Sequence, residues 1–251
     1  MLPIKFRFIW SSGFFREDFK KSANQKQEML YGLETLNLQN KDMATLCSIH
    51  LSTLKRLQSL PIRTANSAVY LLLVILPISA ELHKRQLSLF HQIVMSENVS
   101  IREIAWRQYI AGRPTSFFVR IVDILDLYEL PSFIEVMSGH FKKLDWKGIV
   151  KMSINTYWTT KLQQDCQSKS TLSLLSTTSL EMGKTHIVWD SINNSVRDVR
   201  KAITKARMLT GTYMLQTLKS KVQPGRGGFD LPNLQTGNRN HDSRYHKLSS
   251  I

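Results

Sequence analysis

Ala68-Val69-Tyr70-Leu71-Leu72-Leu73-Val74-Ile75-Leu76-Pro77-Ile78-Ser79-Ala80-Glu81-Leu82-His83-Lys84-Arg85-Gln86-Leu87 joins the most apolar stretch of the chain to one of its amphipathic ones. The apolar run, Ala68 to Ala80, is 13 residues long. A bilayer-spanning helix needs roughly 20. Proline lacks the N–H that a helix interior needs and restricts the residue before it, so Pro77 cuts the run. The stretch therefore reads as a buried helix ending near Leu76 and a second helix starting after Pro77, and no membrane span is expected. In the second helix Ile78, Leu82, Leu89 and Ile93 trace one face, widened by Leu87 and Phe90. Helix against helix is thus the packing unit.

The same periodicity extends on both sides. From Asn40, Leu46, Ile49, Leu54 and Leu57 recur at helical spacing with Lys55 and Arg56 facing away, and Leu60-Pro61 ends that helix. Asn66 or Ser67 is placed to cap the next one. Ser100 and Glu103 have capping-box spacing, which predicts a helix start at Ser100. Gly112-Arg113-Pro114 is a break, and Ser116 to Leu130 reads as a helix with Phe117, Ile121, Ile124, Leu125 and Tyr128 inside. Leu130-Pro131-Ser132 starts a short helix through Met137. Asp145 to Gln167 is a long one whose core face is Trp146, Ile149, Val150, Ile154, Tyr157, Trp158 and Leu162. Ser168 to Thr185 is rich in Ser and Thr and reads as a linker. No convincing period-2 strand set occurs. The expected fold class is all-α, an irregular multi-helix array with a basic amphipathic C-terminal helix and a disordered tail. The expected divisions are a divergent segment 1–29, a helical domain 30–167, a linker 168–188, a basic helix 189–222 and a tail 223–251.

The 251 residues carry 34 Lys and Arg against 19 Asp and Glu, a formal charge of +15. With 42% hydrophobic residues, there is enough apolar material for a core. Two cysteines, Cys47 and Cys166, cannot build a disulfide scaffold and suggest a reducing compartment. The N-terminal apolar residues are interrupted by Lys5 and Arg7, unlike a secretory signal, so an intracellular location is expected. Such a charge asks for an acidic partner, nucleic acid first and an anionic membrane surface second.

Much of the charge lies in one segment. From Lys184 onward there are twelve basic and four acidic residues, +8 in the last 68. Within Trp189 to Leu218, Ile192, Val196, Val199, Ile203 and Ala206 step by 4, 3, 4 and 3, a narrow apolar stripe on a helix. Arg197, Arg200, Lys201 and Lys205 fall on the opposite face and Arg207 at the border. A helix of this kind can dock on a helical body by one side and touch phosphates with the other, so these five residues are the candidate contacts to the RNA or DNA backbone.

Reaction chemistry is not legible. Gly225, Gly227 and Gly228 follow no strand and make no phosphate loop. Cys47 and His50 lie one turn apart without a second ligand pair. His83 and His91 are eight apart, and Asp123, Asp126 and Glu129 form an acidic helix face that reads as solvated. No catalytic residue, metal site, cofactor or small-molecule substrate is expected.

Several phrases taken in order carry a resemblance. They are Leu30-Tyr31-Gly32-Leu33-Glu34-Thr35-Leu36, then Leu54-Lys55-Arg56-Leu57-Gln58-Ser59-Leu60-Pro61, then the stretch from Ala68 to Leu87, and last Trp189-Asp190 through Asp198-Val199-Arg200-Lys201-Ala202 to Arg207-Met208-Leu209-Thr210-Gly211-Thr212-Tyr213-Met214-Leu215-Gln216. Over roughly residues 30–218 the chain resembles the region after the polymerase palm in the reverse-transcriptase polyprotein of LINE-like, non-LTR retrotransposons. The family's polymerase uses paired aspartates to hold two metal ions. This sequence has no Asp-Asp pair. The family's Cys-x-x-Cys zinc element has no counterpart after Leu218 either, and its endonuclease domain is absent. The resemblance therefore implies a non-catalytic fragment of such a polyprotein, not an enzyme, with residual non-specific RNA or DNA binding. The alternative is a helical interaction or scaffold protein without nucleic-acid function, using the stripe Ile192, Val196, Val199 and Ile203 as its partner surface.

Overall fold

In the computed structural model, residues 28–36, 38–139, 141–176, 182–183, 186–190, 192 and 195–213 are described. Among them there is no strand; α-helices and two short 3-10 turns make up the regular structure. The chain is all-α, as the periodicity predicts. The first 27 residues and the expected tail 223–251 lie outside the described residues.

Helix α1 spans Asn40–Leu57, α2 Asn66–Leu73, α3 Ile78–Val94, α4 Val99–Ala111 and α5 Phe117–Leu127. They are followed by α6 at Phe133–Met137, α7 at Lys143–Gln167, α8 at Ile187–Asp190 and α9 at Val196–Leu209. The 3-10 turns are Leu33–Thr35 and Ser170–Leu172. The apolar run thus splits as its proline requires, though one turn earlier than expected. α2 stops at Leu73 because Val74 takes a left-handed conformation, φ 51°, and the chain reaches Pro77 extended.

α3 is the hub, packing against α1, α4, α5 and α7. Three buried clusters surround it. The largest joins Leu87 and Phe90 of α3 to Ile121 and Leu125 of α5, Phe133 of α6 and Trp146 and Ile154 of α7. The second gathers all of α2's apolar face, Leu54 of α1, Leu162 and Cys166 of α7, Val188 and Trp189 of α8 and Ala202 and Ala206 of α9. The third is Leu30, Ile78 and Leu82. α7 has 25 residues, about 37 Å at 1.5 Å per residue, and its Trp158 touches both larger clusters. Leu162 and Cys166 of this helix and Ala202 and Ala206 of α9 belong to the same buried cluster.

Several expectations shift by a residue or an element. α4 begins at Val99, and its cap is Asn98, whose Oδ1 accepts from the N–H of Ser100 at 2.9 Å. A helix that starts one residue earlier places Ser100 inside the first turn, so the Ser100/Glu103 box does not form. A capping box does form at Ser132 and Glu135. Ser116 caps α5 by accepting from Phe118 N–H at 3.3 Å. Asn66 does not cap α2; its Oδ1 accepts from Lys55 Nζ at 3.0 Å. Within the Ser/Thr-rich stretch, Leu172 and Leu175 are buried in the second cluster, because two leucines among hydroxyls suffice to anchor a 3-10 turn there.

Three helices end in the left-handed conformation on residues other than glycine: Ser59 at φ 53°, Val74 at 51° and Glu129 at 52°. In each, the following residue's N–H reaches back five residues: Leu60 to Lys55, Ile75 to Tyr70 and Leu130 to Leu125. This is the Schellman arrangement, which satisfies carbonyls that a helix end leaves open. A proline follows within three residues each time, at Pro61, Pro77 and Pro131.

Candidate nucleic-acid interface

The basic segment is built as a short, well-delimited helix. Ser195 Oγ accepts from the N–H of Asp198 at 3.2 Å and starts α9. Asp198 in the first turn suits the positive end of the helix dipole. Gly211, φ 61°, ends it, with Thr212 N–H returning to Arg207 O at 2.9 Å. The continuous helix expected over 189–222 is therefore interrupted. α8 and α9 are separate, and residues 214–222 lie outside the described residues.

One side of α9 is consumed by the fold. Val199, Ala202 and Ala206 are buried, and Ile192 and Ile203 pack half-buried against the second cluster. Val196, expected in the stripe, is 44% exposed. Ala202 takes its place, which rotates the buried face slightly. The sequence pattern did carry this signal, since 199, 202 and 206 also step by helical turns, but alanine is too small to weigh heavily in an apolar count.

The other side is free. Arg197, Arg200, Lys201 and Lys205 are all exposed. Arg197, Lys201 and Lys205 are four residues apart, so their Cα atoms form a row about 12 Å long. Lys201 Nζ stands 3.6 Å from Asp198 Oδ1, an exposed pair of the kind worth at most about 1 kcal/mol. From Val199 to Tyr213 no acidic residue occurs, so nothing within the helix neutralises the remaining cations.

Arg207 differs. Its Nε and Nη2 both donate to the carbonyl oxygen of Ser59, at 3.0 and 2.6 Å, and its side chain is half-buried. The five expected phosphate contacts thus divide into four exposed cations and one structural clamp.

The other chemically suggestive residues are absorbed by packing. His50 is buried beside Tyr70, with ring centroids 6.1 Å apart. Burial pushes the thiols of Cys47 and Cys166 up from their ordinary value. His91 bonds Phe141 O at 3.0 Å and stacks on Trp146, while His83 bonds Tyr128. Asp123, Asp126 and Glu129 are exposed. Among the described residues no group of three or more His, Cys, Asp or Glu is placed to hold a metal ion. No single helix among them is long and apolar enough to cross a membrane; α2 and α3, bent by 64°, pass that test only as a broken pair, and both are largely buried. An open cleft of about 660 Å³ lies between Tyr128 and Glu129 at the end of α5 and the Met152–Gln164 side of α7, with Lys161 over the rings of Tyr157 and Trp158.

No family model matches the chain, and neither a curated protein nor a solved structure matches it.

Proposed function

We propose that this chain binds the phosphate backbone of RNA or DNA through the exposed face of α9, without reading sequence and without catalysing a reaction. Its origin, in this reading, is the post-palm region of a non-LTR retrotransposon polyprotein. The observation that carries the binding role is the division of α9. Its apolar side is held in the core at Val199, Ala202 and Ala206, and Arg197, Arg200, Lys201 and Lys205 face solvent. A rigid row of cations neutralises phosphates and releases counterions without ordering new chain. The scaffold alternative needed the stripe Ile192, Val196, Val199 and Ile203 as a free surface. Val199 is buried and Ile192 and Ile203 pack half-buried against the second cluster, so of the stripe Val196 alone is exposed.

The test is a titration of random-sequence nucleic acid, with anionic vesicles as the comparison surface. Four neutralised phosphates give a log-affinity slope against log salt of about −3 to −4. Absence of binding at low salt, or binding to vesicles alone, overturns the proposal.

A further inference from the structure

Arg207 joins α9 to the turn between α1 and α2. Ser59, whose carbonyl it holds twice, is the left-handed residue closing α1. That conformation directs the chain away from the helix, and the turn is fixed from its other side by Lys55, whose Nζ donates to Ile62 O at 2.8 Å and to Asn66 Oδ1 at 3.0 Å. Gln58, fully buried, donates to Leu54 O at 3.3 Å and Val69 O at 3.2 Å and ties the turn to α2. The turn is thus rigid and its position relative to the C-terminal end of α9 is set by a two-pronged charged hydrogen bond. Such bonds are stronger and more directional than neutral ones.

Two arginines with exposed side chains flank Ser59 there, Arg56 in the last turn of α1, three residues before it, and Arg63 in the connection to α2, four after it. The chain from Met43 to Ala80 contains no acidic residue. Asp165 of α7 is engaged by Lys169, whose hydrogen bond holds the carboxyl below its ordinary value. Two segments remote in sequence, 43–80 and 199–213, neither of which contains an acidic residue, are therefore bolted together by Arg207, and each presents exposed cations, Lys201 being paired with Asp198.

We infer that the phosphate-binding surface continues from α9 onto the α1–α2 turn, that Arg56 and Arg63 are its second set of contacts, and that Arg207 is a positioning residue and not itself a phosphate ligand. This rests on the reading of α9 as a nucleic-acid surface and names further residues of the same site. Across both parts the surface takes a polyanion with several consecutive phosphates, because a single phosphate cannot reach the row on α9 and the turn at once.

The experiment is a salt titration of the full chain on one random-sequence DNA duplex, with three variants whose helicity is verified by circular dichroism. R56E/R63E lowers affinity and makes the salt slope shallower by about two, one for each lost phosphate contact. R207M keeps the apolar stem but frees the turn, so in its background R56E/R63E loses most of its effect, whereas R200E/K201E keeps its own. That non-additivity is what a merely structural arginine would not produce. If R56E/R63E leaves the slope unchanged while R200E/K201E flattens it, the extended surface is wrong and the α9 reading stands. If neither pair changes binding, both fall.

Discussion

The phenol oxygen of Tyr128 lies 2.9 Å from Nδ1 of His83, 45 residues earlier in the chain, and accepts a hydrogen bond from Trp158 Nε1 at 3.1 Å. The phenol oxygen thus ties α3 to the end of α5 and to α7. Burial, and secondly the positive charge of Arg120, push the His83 pKa down to about 4.

This depression has a sign. In the unfolded chain the imidazole titrates near 6.5, so between about 6.5 and 4 the unfolded state binds the extra proton. Stability from His83 is fully present above pH 6.5 and is lost as pH falls through 4. A fall from 6.5 to about 4 corresponds to roughly 3 kcal/mol. Burial lowers His186 in the same direction. Denaturant unfolding measured from pH 7 to pH 4 should show stability falling with pH, and H83Q should flatten that fall while lowering stability at pH 7.

Glu129 is exposed and sits at φ 52°, a region that costs an L-residue about 1–2 kcal/mol. Replacing it with glycine removes that strain and adds unfolded-state entropy. E129G should raise stability by about 0.5–1 kcal/mol in urea unfolding. V74G makes the opposite case. Val74 has the same backbone conformation but is 1% exposed, and burying a valine is worth about 1.5–3 kcal/mol. That substitution should destabilise.

Gly211 ends α9 at φ 61°, and a Cβ there would stand 2.7 Å from the carbonyl oxygen of Thr171. Backbone cannot yield as a flexible side chain does. G211A should cost about 2 kcal/mol, of the size of a strained or unsatisfied backbone site. Hydrogen exchange should show the loss first in α9 and the 3-10 turn Ser170–Leu172, because these two segments meet at that contact.

The helical nature of the chain was readable from periodicity and proline. Pro61, Pro77, Pro114 and Pro131 each lie between helices, and the expected core face of the long helix has Trp146, Val150, Ile154 and Leu162 buried as read. Helix ends were harder. Ser59, Val74 and Glu129 take the conformation glycine usually supplies, so no local signal marked them. The stretch 168–188 looked like a linker because hydroxyls outnumber leucines, yet burial of Leu172 and Leu175 decides its packing. Four of the five basic residues chosen on α9 are exposed. The fifth, Arg207, meets Ser59 across 148 residues, a pairing that no spacing within the helix could disclose.

The central claim is that the exposed cations of α9 bind phosphates by charge. The most direct measurement is the affinity of the full chain for random-sequence nucleic acid between 50 and 200 mM salt, alongside R200E/K201E; the four α9 contacts alone give a loss of about a hundredfold for the native chain, which contacts at Arg56 and Arg63 steepen further, and the slope is shallower by about two in the variant. An affinity that does not change with salt, or a variant that binds as the native chain does, would contradict it.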